Sequence, residues 1–458
     1  MSKVILVKPQ APIGLYLLHK ELFPSGALLL LGTILKKAGH DVKVIHEAVE
    51  GFKTRDQLVN HIIKENPDIV CVNVATPTCK SARDLCRKLK ERAPWITVAV
   101  GGPHTSALGR GGVKYPPEAD IWVVGEGDRI ILDIAEGRIK SGIHYPEMLP
   151  NLDSVPFLDL LLTNLHNFSG VYPPGPLPGM FIMGSRGCPF GCTFCSRSVF
   201  GKTSRQRKPE SVADEAERLV KDLHVKEVFF HDDTFNIKHE WSYELLGLLR
   251  KKGLHKKVLF RTPCRVEEKL VTEELFREMK ATNFWLIFFG VENGNQQMLN
   301  DMRKGITVED VKRAFSICHK VGIKPEASFI VGMPGETPDT IKDSVSLWRT
   351  INPYWTSFSR AVPFPDTELY RIAKEKGHIL VDSFEEYDVS KTLVRTDSMS
   401  PEELEVWAQY LDKITMHQKI KHLLTSHPER LVRLLKDSLE APGGFSRVIG
   451  RIRRMAKR

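Results

Sequence analysis

Long hydrophobic runs are missing from these 458 residues. The nearest, GALLLLGTILKKAGH, is interrupted by Lys36 and Lys37 after about ten residues, far short of the ~20 that a bilayer requires. The start, MSKVILVKPQAPIG, lacks the basic region and apolar core of a secretory signal. Cysteine is scarce, eight residues in all, which in a chain expected to be cytoplasmic argues against a disulfide framework. Low-complexity tracts and short-period repeats are absent as well. What remains is the profile of a cytoplasmic globular protein, 42% hydrophobic and 27% charged, too long for a single core and so built of two or three domains.

Net charge is also scarce over most of the chain. From Lys413 to Arg458 twelve Lys or Arg face three acids, so a tail of +9 accounts for almost all of the formal +10. In its last stretch, GGFSRVIGRIRRMAKR, helical spacing would align Val448, Ile449, Ile452 and Met455, with Arg447, Arg451, Arg454 and Arg458 largely elsewhere. Such a helix can lie on an anionic membrane surface, each basic residue contributing about 1 kcal/mol. A solvating terminus, or a helix docked on the protein, is the plainer alternative. Nucleic acid is disfavoured, because no aromatic residues are interleaved for stacking.

Turning to what is present, the first third alternates strands and helices. KVILVKP, DVKVIHE, DIVCVNV, ITVAVGG and DIWVVGEG are short β-branched runs, with helical stretches between them. This predicts a doubly wound, Rossmann-like parallel sheet over residues 1–140, an α/β fold whose ligands sit at the carboxyl ends of the strands. The loops there are Asn73–Thr78, Gly101–Ser106 and Gly125–Asp128. Over 141–179 the periodicity fades and prolines gather, as in FSGVYPPGPLPGM, which predicts a linker. A second series follows: FIMGSRG, VKEVFFHDD, KVLFRTP, FWLIFFGVE, KPEASFIVGMPG and WTSFSRAVPFP. Six strands with helical connections predict a partial (β/α)6 barrel over 180–365, with its chemistry at the C-terminal strand ends. Residues 366–458 read as a helical C-terminal region.

Three of the eight cysteines fall in one loop, GSRGCPFGCTFCSRSVF, as Cys188, Cys192 and Cys195. Zinc sites pair cysteines as two knuckles, and no second pair stands near this one. Three thiolates can instead hold three irons of a four-iron cluster, leaving the fourth iron open to a substrate or cofactor.

At this loop the sequence resembles the radical S-adenosylmethionine (SAM) enzymes, whose motif has this spacing and an aromatic residue, here Phe194, before the last cysteine. The resemblance implies a [4Fe–4S] cluster on Cys188, Cys192 and Cys195, with SAM on the open iron. Reduction by an external electron donor such as flavodoxin or ferredoxin would cleave SAM to a 5′-deoxyadenosyl radical. FFHDDTF ends the second strand where the family places polar groups near the methionyl amine, making Asp233 and its neighbour Asp232 candidates. Either could equally cap the next helix. FFGVENGN resembles the fourth-strand segment in which Glu292 would accept from the ribose hydroxyls or the amine. FIVGMPGET resembles the fifth-strand segment in which Gly332 and Gly335 would let the backbone approach the adenine. Glu336 reads as a helix-start residue. AVPFPDTEL resembles the closing strand, with Asp366 where glycine is usual, a change confined to a turn.

Before the barrel, VAVGGPHTSA and IWVVGEGD resemble the cobalamin-binding domain of the B12-dependent branch of these enzymes. The resemblance implies that Asn73, Thr76, Gly101, Gly102, His104, Gly125, Glu126 and Gly127 face the corrin. The D-x-H-x-x-G run whose histidine ligates cobalt from below is absent, which leaves the lower ligand undefined and His104 a candidate for it. A sheet domain that only shapes the substrate pocket is the plainer alternative. Cys71, Cys79 and Cys86 raise a second cluster, as in methylthiotransferases, although their positions suit packing better.

Over about residues 1–365 the resemblance extends to the group of the anaerobic Mg-protoporphyrin monomethyl ester cyclase and related methyltransferases. It implies C-methylation of an unactivated carbon in a small-molecule or lipid substrate, with cobalamin as methyl carrier. The alternatives are cyclisation or another lipid or tetrapyrrole modification without methyl transfer, and a non-enzymatic Fe–S or cobalamin sensor. Cys264, just past the third barrel strand, is a hydrogen or proton donor on one view and a packing residue on the other. The expected location is cytoplasmic, or peripheral at the inner membrane face if the tail engages lipid.

Overall fold

The computed structural model describes residues 1–11, 23–165, 168 and 175–426. The basic tail segment 441–458 lies outside the described residues. Its first sheet holds β1 (Lys3–Lys8), β2 (Asp41–His46), β3 (Ile69–Asn73), β4 (Thr97–Gly101), β5 (Ile121–Val123) and β6 (Gly142–His144). All are parallel, in the order β2-β1-β3-β4-β5-β6. The strands are near-continuously apolar because helices cover both faces. Val70, Val72, Val98 and Val100 pack with Leu85 and Leu89 on one side, while Leu6, Cys71 and Ala99 pack with Leu28 and Ile131 on the other. Cys71 therefore sits on the opposite face from Cys79 and Cys86, and all three are buried as apolar fillers. The sheet takes in one strand more than the five β-branched runs, because β6 is a three-residue edge strand with too little pattern to read.

The second sheet begins with β7 (Gly179–Ile182). A short antiparallel ribbon of β8 (Ser185–Arg186) and β9 (Arg205–Gln206) follows, and between its strands lies the cysteine loop. The sheet continues with β10 (Glu227–Phe230), β11 (Leu259–Cys264), β12 (Phe284–Glu292), β13 (Lys324–Val331) and β14 (Trp355–Arg360), all parallel, in the order β14-β13-β12-β11-β10-β7. The six expected barrel strands are thus all present, as an arc open between β7 and β14. Residues alternate between the two faces. Phe230, Phe260 and Phe284 stack 5.4 to 5.8 Å apart under the helices, while Phe229, Arg261, Leu286 and Glu326 face the inside of the arc. Cys264 points to the helix side, buried beside Cys318, so it packs there instead of facing the interior.

After the barrel come helices Glu368–Glu375 and Pro401–Ser426, and a short turn at Phe384–Glu386 that reaches back to the first domain. There Arg83 donates to Glu385 at 2.7 Å and the Tyr115 hydroxyl donates to it at 3.2 Å. Among the described residues no helix is long and apolar enough to cross a membrane.

Candidate active site

The cysteine loop is shaped by its glycine and held from several directions. Gly187 has φ +85°, and a Cβ there would stand 2.2 Å from the Thr203 carbonyl oxygen, so the loop entrance admits only glycine. Its N–H donates to Asp233 Oδ2 at 2.9 Å. Farther along, Thr193 N–H donates to the Met302 carbonyl at 2.9 Å, and Leu369 N–H donates to the Thr193 carbonyl at the same distance. Asp366, at φ +78°, accepts from the Ser196 side chain and the Arg197 backbone just beyond the last cysteine. The positive φ explains why glycine is usual at this turn, and the carboxylate shows that the departure does more than alter a turn: it ties the closing strand to the cysteine loop.

Within the loop Cys192 is buried, Cys188 half-buried and Cys195 exposed. Although Cys195 as a residue is exposed, crowding around its sulfur, together with repulsion from the Cys192 and Cys188 sulfurs, pushes its thiol up to about 11. The three sulfurs thus feel one another. Yet among the described residues no three His, Cys, Asp or Glu side chains converge closely enough to hold one metal ion. Three thiols from one loop, with no second cysteine pair beside them, are a donor set that fits three irons of a four-iron cluster.

Arg265 carries no spacing signal in the sequence, and its role emerges only in three dimensions. It lies just past β11, buried, with its guanidinium 3.7 Å from the Phe190 ring centroid. Nη1 donates to Cys192 Sγ at 3.8 Å, Nε donates to Glu267 Oε1 at 2.5 Å, and Nη2 donates to the Lys304 carbonyl.

Of the expected SAM residues, Phe194 lies on this loop, Asp233 bonds to its entrance, and Glu292 approaches it through Lys304. β12 carries a bulge between Gly290 and Glu292, and Glu292 itself has φ +66°, a costly conformation for a residue with a side chain. Its carboxylate is buried and accepts from Lys304 Nζ at 2.6 Å, with that ammonium 5.9 Å from the Phe194 ring. An acid, a lysine and an open glycine suit the amine, carboxylate and hydroxyls of a nucleoside amino acid. The open glycine is Gly335 (φ +85°), which has nothing within 4 Å of where a Cβ would stand. Gly332 differs: its missing side chain would face Val394, Ala361 and Leu404, so the C-terminal region covers it. Glu336 is fully buried and pushed up to about 7 by that burial. It accepts from the Gly332 N–H and from Asn293 Nδ2, joining the ends of β12 and β13. Asp232 is likewise buried, accepts from the Ser185 hydroxyl, and is raised to about 7.

At the carboxyl ends of the first sheet a cavity is lined by Asn73, Gly101, Gly102, Gly125, Glu126 and Gly127 over an apolar floor that includes Leu31, Val72, Val100 and Ile131. A Cβ on Gly102 (φ +108°) would lie 2.9 Å from the Val74 carbonyl oxygen. A glycine rim over an apolar floor fits a broad, largely apolar ligand such as a corrin. Thr76 and His104 are not part of it. His104 is fully buried, bonded through Nδ1 to Thr76 Oγ1 at 3.0 Å and packed edge-on against Tyr115 and Phe384. Burial depresses it to about 4. The candidate lower ligand of the sequence is therefore turned into the core, behind the strand ends. Glu126 does more than line the cavity: it accepts from Arg205, pairs with Arg186 at 3.3 Å, and binds the two domains together. Asp128 adds a bidentate pair with Arg186, at 2.9 and 3.0 Å.

A second cavity of about 440 Å³ fills the inside of the arc, lined by Phe229, His231, Asp233, Pro263, Phe288 and Glu326 among others. Met183 and Phe200 border both cavities, and Phe200 lies on the cysteine loop. Glu326 is held up to about 8 by burial, against the opposing pull of Arg261 and Lys419.

Family models match the two halves separately: B12 binding domain over residues 20–135 and Radical SAM superfamily over residues 182–347. The chain thus carries a B12-binding domain followed by a radical SAM domain. It is 26% identical over 425 residues to an uncharacterized methyltransferase of Pyrococcus horikoshii, covering 88% of this chain and 90% of that one. It is 28% identical over 401 residues to the anaerobic magnesium-protoporphyrin IX monomethyl ester cyclase of Rubrivivax gelatinosus, covering 83% and 72%. The fold is similar to that of the radical SAM methyltransferase TsrM from Kitasatospora setae, solved with cobalamin and a [4Fe-4S] cluster bound, with a TM-score of 0.67 and 20% identity over 90% of this chain and 91% of that chain.

Proposed function

We propose that this chain is a cobalamin-dependent radical SAM enzyme that methylates an unactivated carbon of a small molecule. The observation that carries the proposal is the shared wall: Met183 and Phe200 separate the cavity at the first sheet from the cavity inside the arc, beside the cysteine loop. A substrate inside the arc would have the SAM site on one side and the glycine-rimmed cavity on the other. When bound, the cluster, SAM and cobalamin would supply a hydrogen-abstracting radical and a transferable methyl group. Cys188, Cys192 and Cys195 would hold the cluster. Phe194, Glu292 and Gly335 would orient SAM, with Asp233 steadying the loop between them and Gly332 shaping the strand end behind. Asn73, Gly101, Gly102, Gly125 and Gly127 would cradle the corrin. Phe229 and Phe288 would exclude water, and Glu326, keeping its proton at neutral pH, would offer a hydrogen bond to a polar group of the substrate.

The domain limits expected from sequence, 1–140, 180–365 and 366–458 with a linker at 141–179, go with this function once the first domain is extended through β6 to His144 and the barrel begins at Gly179. A reductant is needed, and a flavodoxin or ferredoxin would serve. If the substrate is a lipid, the basic tail would hold the enzyme at the membrane. The test is anaerobic reconstitution with SAM and cobalamin, followed by mass spectrometry for 5′-deoxyadenosine and for a product gain of about 14 daltons. Absence of 5′-deoxyadenosine from a fully loaded enzyme would refute the proposal. The likeness to the Rubrivivax cyclase favours one other outcome: 5′-deoxyadenosine with a product that gains no methyl group, which would mark a cyclase or other oxidation.

A further inference from the structure

Arg265 is unusual among the arginines near the site, because it makes both a sulfur contact and a ring contact. Its Nη1 donates to the thiol sulfur of Cys192 at 3.8 Å, and its guanidinium plane covers Phe190 at 3.7 Å. Three further features fix it in place: Glu267 Oε1 at 2.5 Å on Nε, the Lys304 carbonyl on Nη2, and burial to 7% exposure. A surface arginine would be screened by water. This one stands beside a buried sulfur where charge is felt at short range. The Cys192 thiol and the Arg265 side chain come from positions 73 residues apart, so the contact is built by the fold and not by the local loop.

We infer that Arg265 is a positioning residue that holds Cys192 and raises the reduction potential of the cluster bound there. The inference rests on the cluster assignment above. A cluster gains one negative charge when reduced, and that charge spreads onto its thiolate ligands. A cation donating a hydrogen bond to one of those sulfurs stabilises the reduced form more than the oxidised form, which makes the electron easier to accept. Glu267 works in the opposite sense: its carboxylate neutralises part of the guanidinium charge from the far side, away from the sulfur. The pair therefore sets how strongly the cation acts, and Phe190 keeps water from screening it.

The test uses the full-length chain, reconstituted without air, with the midpoint potential followed by electron paramagnetic resonance and iron content measured alongside. Arg265→Gln should keep its iron and shift to a more negative potential, with Arg265→Lys returning part of the way towards wild type. Glu267→Gln, which leaves the sulfur contact intact, should shift the potential the other way. An Arg265→Gln protein with full iron and an unchanged potential would overturn the inference. Should Arg265→Gln lose its cluster, Glu267→Gln decides: a positive shift upholds the inference and no shift overturns it. A wild-type chain that takes up iron but shows no [4Fe–4S] signal would overturn the cluster assignment itself, and the inference with it.

Discussion

At the first sheet, the ligand cavity is bounded by backbone: Gly101, Gly102, Gly125 and Gly127 form a rim over an apolar floor, and the charged groups nearby serve to join domains. At the barrel mouth the reverse holds. Side chains form the site, from three thiols, Glu292 with Lys304, and Arg265 with Glu267. A backbone cradle selects for shape and tolerates many sequences, whereas a ligand set fails when one atom is lost. The difference explains why the cysteine loop announces itself in eight residues while the glycine-rimmed cavity shows only scattered glycines.

The comparison breaks most visibly at Cys192. Cys192→Ala should abolish 5′-deoxyadenosine formation while leaving the absorption spectrum of bound corrin unchanged, and retained SAM cleavage would mean that the thiols hold no cluster. Next in size is Gly102→Ala, which forces a side chain to φ +108° and towards the Val74 oxygen. It should cost roughly 1–3 kcal/mol of stability and weaken corrin binding with cluster content intact, as read by thermal denaturation and corrin titration. Glu326→Gln sharpens the contrast through pH. Wild type keeps a proton on Glu326 up to about pH 8, whereas the unfolded chain has released it above about 4.5, so folded stability declines as pH rises through that window. The glutamine variant lacks that decline, and its melting temperature should gain on wild type from pH 5 to pH 9; parallel profiles would show that Glu326 is not buried as described. The smallest effect on the corrin belongs to His104→Leu. Losing the bond to Thr76 should cost about 1 kcal/mol of stability, with corrin affinity unchanged. A changed corrin spectrum would return His104 to the ligand site.

Much of this architecture is legible in sequence because its signals are local. β-branched runs alternating with amphipathic helices predict both sheets, and the spacing of Cys188, Cys192 and Cys195 singles out the loop. The residues that hold the loop are invisible to such patterns. Arg265 reaches Cys192, Asp366 reaches Ser196, and Glu126 reaches Arg205 only once distant elements are packed, and nothing in RTPCRVEEKL marks its second arginine. His104 shows the converse. A histidine beside a glycine pair at a strand end looks like a ligand, yet the first turn of its helix carries the ring inward, between Tyr115 and Phe384. Glu336 was legible as a helix-start residue, but its span from β12 to β13 was not.

The supports of the cysteine loop have a consequence for how the protein is made. All three thiols leave the ribosome early, but the groups that brace them, Asp233, Arg265, Met302, Asp366 and Leu369, are translated afterwards. Since chains emerge from the N-terminus onward, a nascent chain carries the three sulfurs without their full set of braces for about 170 further residues. Were these thiols to take up a cluster, all five braces would be in place to hold it only once Leu369 had been made and packed against Thr193.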